Sequence, residues 1–461
     1  LIDVTQTGFV PNRQIFENLS FTRDVIDYHA AYEPETEACI AFLDYEKAFD
    51  MTNWRFRDRV LLKAGFPPAF IRMIRSLYND AMVRLIVNGV LTAPIHQSRG
   101  VRQGCPMSPF IFALFVEPLG ELMRSMAPTH GISLPPLRTD VAAARYFIVS
   151  QFADDTTLYA RSVAHKDEML RSIQDEYCAV SGARLNIVKT KVLLLGSQPQ
   201  QEQVEEAAPV ESDHMTDGEW IKSLGGLYGP TMQPTQRYDM VLSKMMDRMT
   251  RLQRRHTSLP ARVLYTNNLL SACACFFAYF VLPTQVQLRQ LEQIVWGLMS
   301  GNTPGSVGGR GVVNRTQMGH DKKSGGWGVL SPLVMIPAIQ ADMVNRACRA
   351  RGKWWTHFFE FYLEQACPHR LGYDALLVPI HQYPHTIRSR YWCAAVKVWQ
   401  SLDWKIDSQW ERHGEHCAAM PLFDPELLVL PRLKHWRRLQ AAMIQEKYVY
   451  FHHIWNYQFN E

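Results

Sequence analysis

The sequence predicts an α+β fold in which an antiparallel β-sheet carries acidic residues at its strand ends and helices pack around it. Three observations lead there. Two apolar or β-branched runs, Tyr146-Phe147-Ile148-Val149 and Thr156-Thr157-Leu158-Tyr159, flank the adjacent carboxylates Asp154 and Asp155, as in a β-hairpin with both aspartates at its tip. The apolar run Cys39–Leu43 ends at Asp44 and is of the kind buried on both faces. Between these elements, Gly100-Val101-Arg102-Gln103-Gly104-Cys105-Pro106-Met107-Ser108-Pro109 feeds the apolar run 110–122. Its glycines permit close backbone approach, Ser108 suits a helix cap and Pro109 a first helical position. Phe110, Ala113, Leu114 and Leu119 then follow helical spacing.

Should folding bring Asp44 beside the hairpin, each close pair of carboxylates repels by about 4 kcal/mol at an effective dielectric near 20. A cation is then required. The natural occupant is a pair of Mg²⁺ ions about 3.5 to 4 Å apart, which take oxygen ligands and clamp the attacking and leaving oxygens of a phosphoryl transfer. An Asp-Asp pair by itself is also common in solvated turns, so the order of the surrounding elements is what gives it weight.

That order, with Phe42-Leu43-Asp44-Tyr45-Glu46-Lys47-Ala48-Phe49-Asp50, then residues 99–109, then Phe152-Ala153-Asp154-Asp155, resembles the palm of reverse transcriptases, most closely those of non-LTR retrotransposons, the long interspersed elements. The likeness extends upstream to Gly8-Phe9-Val10-Pro11-Asn12-Arg13, similar to the end of the fingers, and downstream to residues 181–191. Ile221-Lys222-Ser223-Leu224-Gly225-Gly226 is similar to a primer grip. About two thirds of the chain is covered. The resemblance implies a polymerase right hand: partial fingers (1–35), a palm with primer grip on an antiparallel sheet (36–235) and a helical thumb (236–300). A Gly-rich linker with a post-thumb element (301–339) and a mostly helical C-terminal region (340–461) would follow.

Carried over residue by residue, the resemblance implies that Asp44, Asp154 and Asp155 are catalytic and hold two Mg²⁺ ions, with Mn²⁺ as a substitute, helped by the Leu43 carbonyl. Phe49 would block a ribose 2′-hydroxyl; its plain alternative is a core phenylalanine. Tyr45, Gln103 and Gly104 would line the nucleotide pocket, and Lys189 would meet the triphosphate as a point charge or proton donor, or else is an ordinary surface lysine. Arg13, Arg102, Leu224 and Gly225 would contact nucleic acid. The implied reaction is RNA-templated addition of deoxynucleoside triphosphates to a DNA primer, with no membrane and no obligate protein partner. Phe152 and Met51 depart from the family pattern without removing a ligand. The start at Leu1, within the end of the fingers, leads us to expect a fragment lacking an upstream fingers segment and nuclease domain.

Composition suits an intracellular globular enzyme of nucleus and cytoplasm. The 461 residues are 47% hydrophobic, enough to bury two or three cores, and nine scattered cysteines show no disulfide spacing. The net charge of +5 is a weak argument for a polyanion ligand. Its distribution says more. Lys244, Arg248, Arg251, Arg254, Arg255 and Arg262 crowd one segment in which Val241, Met245, Met249 and Leu252 keep helical spacing. This predicts a helix with a core face and a basic face, which either tracks duplex phosphates or is simply solvated.

Residues 269–282 are apolar but shorter than the ~20 residues a bilayer requires, so they predict a buried helix. The glycines of 301–328 predict a linker or a nucleic-acid loop, and the polar stretch 197–218 an exposed loop. Farther on, Trp354, Trp355, Trp392 and Trp399 beside Arg388 and Arg390 are core residues or base-stacking ones. Cys367 and His369, with His413, His416 and Cys417, lack the paired spacing of a zinc knuckle. Two rivals stay open: an inert reverse-transcriptase-like nucleic-acid-binding relic, and a two-metal nuclease.

Overall fold

The computed structural model describes residues 1–79, 81–138, 145–196, 213–215, 219–230, 234–253, 257–300, 315–320, 322–370 and 372–402, with the short strands at 405–406 and 428–429. It divides into two units, 1–135 with 143–231, and 136–142 with 232–461.

The first unit is built on a five-stranded sheet. In chain order its strands are β1 (Cys39–Leu43), β2 (Val149–Phe152), β3 (Asp155–Ala160), β4 (Lys191–Leu194) and β5 (Asp213–His214). The spatial order is β5-β4-β1-β3-β2. β1 pairs antiparallel with both β3 and β4, while β5 lies parallel to β4. The expected sheet is thus present. Residues 213–214, read from composition as loop, add an edge strand because the Met215 amide donates to the Val192 carbonyl at 3.0 Å.

Every residue of β1 is buried, as its uninterrupted apolar run predicts, and the period of two divides its side chains between two layers. Cys39, Ala41 and Leu43 join Phe112, Phe115, Val116, Leu119 and Met123 in one core. Those five come from the helix Ser108–His130, whose spacing buries one flank. On the opposite face Phe42 stacks on Tyr228 with ring centroids 5.2 Å apart. There the helix Ile15–Tyr32 supplies Phe21, which contacts Phe147 and Tyr159. Thr22 and Ser150 both bond the Tyr159 hydroxyl, at 2.8 and 3.1 Å, so this buried phenol is satisfied. Ser108 begins its helix instead of capping it, and Met107 takes the cap position.

The described residues of the second unit are mostly helical, with one short antiparallel strand pair, Lys405–Ile406 with Leu428–Val429. The helix Pro234–Gln253 buries Val241, Met245, Met249 and Leu252, as their spacing predicts, while Lys244 and Arg251 are exposed. Within 269–282, Leu270, Ala274, Ala278, Phe280 and Val281 are buried; no helix among the described residues is long and apolar enough to cross a membrane. The later tryptophans serve packing: Trp355, Trp392 and Trp399 are buried, and Trp392 stacks on Phe359 at 4.0 Å. The described end of the glycine-rich stretch is held in place. Asn267 bonds Gly328 and Leu330, and Ser271 bonds Leu330 at 2.6 Å.

Candidate active site

The register of three strands decides where the acidic residues fall. Phe152 pairs with Asp155, leaving Ala153 and Asp154 as a two-residue turn. Ala153 has φ 58° while Asp154 is not left-handed, the pattern of a II′ hairpin with a non-glycine residue in its strained position. On the other side of β3, Leu43 pairs with Thr156. In an antiparallel ladder the next step sets Asp44 level with Asp155. Residues about 110 positions apart in the chain therefore meet at one strand end.

Their charges feel one another. Asp155 is pushed up to about 6, first by burial and then by the charges of Asp154 and Asp44. Asp154 is raised as well, mainly by burial and secondarily by Asp44, against a backbone hydrogen bond that lowers it. Both residues stay solvent-exposed at the turn, so the desolvation comes from neighbouring walls. One is an apolar crevice lined by Phe112, Phe115, Val116, Leu119, Tyr177 and Asp154 itself. Tyr45 lines the same crevice. Its hydroxyl is enclosed without a hydrogen-bond partner, and burial pushes it well above its ordinary pKa.

Among the described residues no three acidic, histidine or cysteine side chains stand in ready-made metal-ligand geometry. What the three aspartates share is a strand end and mutual repulsion. That donor set fits a divalent cation in chemistry, since hard carboxylate oxygens destabilised by one another are relieved by positive charge. Cys367 Sγ and His369 Nε2 lie 3.4 Å apart, and among the described residues no third metal-binding side chain joins them; His413, His416 and Cys417 fall outside the described residues.

Around the turn is an aromatic wall. Phe49 stacks on Phe112 at 4.1 Å, and Phe9 meets both Phe49 and Phe152 at 6.4 Å. Phe49 is half-buried, so it is a core contact on one side and an accessible face on the other. The 100–104 loop is tied to the same segment: Val101 donates to the Phe49 carbonyl and Gly100 to that of Thr52, both at 2.8 Å. Gln103 and Gly104 lie exposed beyond it, Gly104 with φ 80°. Lys189 is exposed on a short turn, and Asn186 of that turn donates to the Asp44 carbonyl at 2.8 Å.

The residues expected at nucleic acid are scattered. The Arg13 guanidinium bonds the carbonyls of Ile2, Asp3 and Gln6, a structural tie. Arg102 donates to Leu77 at 3.0 Å and lies over Tyr78. Leu224 and Gly225, both left-handed, make the tight turn between strands Ile221–Ser223 and Gly226–Tyr228. Arg248 donates to Leu269 at 2.6 Å. Arg254 and Arg255 lie outside the described residues.

Sequence reasoning missed Gln6. It is fully buried, and its side-chain oxygen accepts both the Gly8 and the Ala153 amides, at 2.8 and 3.0 Å. Its neighbour Thr7 donates to Gln151 at 2.8 Å, and Gln151 donates back to Thr5 at 2.9 Å. A Cβ on Gly8 would lie 2.3 Å from the Ala153 nitrogen, so only glycine allows this approach. The available signal was an uncharged polar run, Thr5-Gln6-Thr7, ending at a glycine.

Comparison with known proteins adds to this geometry. Residues 1–221 match the family described as reverse transcriptase (RNA-dependent DNA polymerase). The chain is 27% identical to the transposon TX1 uncharacterized 149 kDa protein of Xenopus laevis, across 96% of this chain and 33% of that protein. It is 27% identical to the retrovirus-related Pol polyprotein from type-2 retrotransposable element R2DM of Drosophila melanogaster, over 43% of this chain and 18% of that protein. With the Pol polyprotein from type-1 retrotransposable element R2 of Popillia japonica the identity is 26%, over 41% and 29%. The chain thus spans about a third or less of these relatives. The TX1 similarity also takes in the C-terminal third, where the motif resemblance stops.

Proposed function

From the match of residues 1–221 to the reverse transcriptase family and the similarity to retrotransposon proteins, we propose that this chain is a non-LTR retrotransposon reverse transcriptase that adds deoxynucleotides to a DNA primer 3′-hydroxyl on an RNA template, inside the cell. The observation that carries the proposal is the register that sets Asp44 level with Asp155 beside Asp154. In this reading the three carboxylates, with the Leu43 carbonyl, hold two Mg²⁺ ions. When bound, such ions supply Lewis acidity at the primer hydroxyl and neutralise charge on the triphosphate.

The remaining work falls to the chain itself. Phe49, backed by Phe112, closes the floor against a ribose 2′-hydroxyl. Gln103 and Gly104 border the incoming nucleotide, and Lys189 offers its ammonium to the triphosphate. Leu224 and Gly225 seat the primer, while the exposed basic side of the 234–253 helix, including Arg251, meets duplex phosphates. Tyr45, with its hydroxyl enclosed in the crevice, supports the site from below.

Incubating the chain with a labelled DNA primer on an RNA template, deoxynucleotides and Mg²⁺ tests this. Lengthened primers support the proposal; shortened strands would indicate a nuclease, and bound but unaltered primers an inert relic.

A further inference from the structure

A second basic feature lies in the first unit. The helices Trp54–Lys63 and Pro68–Tyr78 enclose an open pocket of about 560 Å³ lined by Arg55, Arg57, Arg59 and Arg75. Asp58 is the acidic residue of its lining. Four guanidinium groups against one carboxylate leave an excess of three positive charges. Asp58 is already engaged: Arg57 bonds one of its oxygens through Nε and Nη2 at 2.9 and 2.7 Å, and Arg75 bonds the other at 2.5 Å.

Arg57 is the built part of this pocket. It is 1% exposed, its guanidinium lies over the Tyr78 ring at 4.9 Å, and its Nη1 has no hydrogen-bond partner. A buried charged donor left unbonded is unfavourable unless a ligand completes it. Arg55 and Arg59 are exposed on the same helix. Planar forks gathered at one spot suit phosphate oxygens, which they bind through paired hydrogen bonds. Across the helix, Trp54 donates to the Gly100 carbonyl at 2.8 Å, so the pocket wall is fastened to the glycine loop that carries Gln103.

We infer that the 54–79 helical pair is a phosphate-binding pocket that takes the backbone of a nucleic-acid strand, with Arg57 as its buried anchor. The choice of a strand as ligand rests on the polymerase reading; the pocket does not. Binding is measured by fluorescence anisotropy with a labelled RNA–DNA primer–template, using the full chain in EDTA over a salt series, so that no turnover is needed.

The Arg55→Gln/Arg59→Gln variant changes exposed residues only and should keep the fold. It should bind more weakly, with the salt slope reduced by about one unit per arginine removed. The charge-matched Arg72→Gln/Arg84→Gln variant, outside the pocket, should keep the wild-type slope. Arg57→Lys retains the charge but loses the fork, and should weaken binding without a change of slope. An unchanged slope in the pocket variant, or an equal loss in the control, overturns the inference. So does displacement of the duplex by dCTP from wild type but not from the pocket variant, which would assign the site to a triphosphate. A wild type that binds the duplex through the pocket yet extends no primer leaves the inference standing and overturns the polymerase reading.

Discussion

The Gln6 side-chain oxygen accepts the backbone N–H of Ala153 at 3.0 Å. A residue at the very start of the described chain thus holds the turn that presents Asp154 and Asp155. That turn is strained at Ala153, whose φ of 58° suits glycine better than alanine, and strain of this kind persists only where the surroundings enforce it.

Replacing Gln6 by Leu should therefore do more than remove a contact. It leaves two buried amides unpaired, at a cost on the order of 1–3 kcal/mol for each, and frees the turn. Misplacement by about 1 Å at a reacting centre can lower turnover about 10²-fold. We expect primer extension with a reduced kcat and an unchanged KM for deoxynucleotide. A change in KM alone would place Gln6 in substrate binding instead.

Phe49 is the residue proposed to select deoxyribose. Truncation to Ala should lower discrimination against ribonucleotides by about 10- to 200-fold, the range of one pocket contact. The stability loss should stay below the ~3–5 kcal/mol of a fully buried phenylalanine, since Phe49 keeps one accessible face. Relative incorporation of dCTP and CTP by the variant decides the point; an unaltered ratio restricts Phe49 to packing against Phe112.

Asp155 gives a pH signature. Its folded carboxyl titrates near 6, above the ordinary value of 3.8, so between these values the folded protein holds the proton more tightly than the unfolded chain. Folding stability from this group is present below about pH 4 and is lost as pH rises through 6. In EDTA, the melting temperature of Asp155→Asn should exceed that of wild type at neutral pH, with the gap closing towards pH 4. A gap that widens on acidification contradicts the assigned repulsion.

Cysteine reactivity offers a chemical probe of the glycine loop. Hydrogen bonds from the Met107 backbone and the Ser108 side chain hold the Cys105 thiol below its ordinary pKa, whereas burial pushes Cys39 and Cys348 up to about 12. The thiolate is the nucleophile, so iodoacetamide at mildly alkaline pH should label Cys105 well before the other two. Peptide mass spectrometry would show the order, and faster labelling of Cys39 would mean that the sheet opens.

How much of this was legible follows from what sequence periodicity records. The β1 run and the 234–253 helix announced themselves through uninterrupted or regularly spaced apolar residues; the hairpin was legible in position, but its upstream arm is Val149–Phe152, while Tyr146 and Phe147 of the apolar run pair with Ser133 and Ile132. Asp44, Asp154 and Asp155 were found as carboxylates at strand ends. Gln6 gave no such signal, because its role depends on a backbone amide 147 residues away. The Arg13 tie to local carbonyls was hidden for a related reason: charge suggests an external partner, while only the fold reveals which carbonyls lie within reach. In the 54–79 pocket, Arg55, Arg57 and Arg59 stand together in the sequence, but only the packing of two helices brings Arg75 to them and only the fold shows that Arg57 is buried.

Whether the strand-end carboxylates carry the chemistry is decided by single-turnover extension of an RNA-templated DNA primer in Mg²⁺ by wild type, Asp154→Asn and Asp155→Asn, with primer–template affinity measured in parallel. Wild type alone should extend the primer, and all three proteins should bind it nearly equally. Extension by either variant at the wild-type rate would contradict that role for the carboxylates.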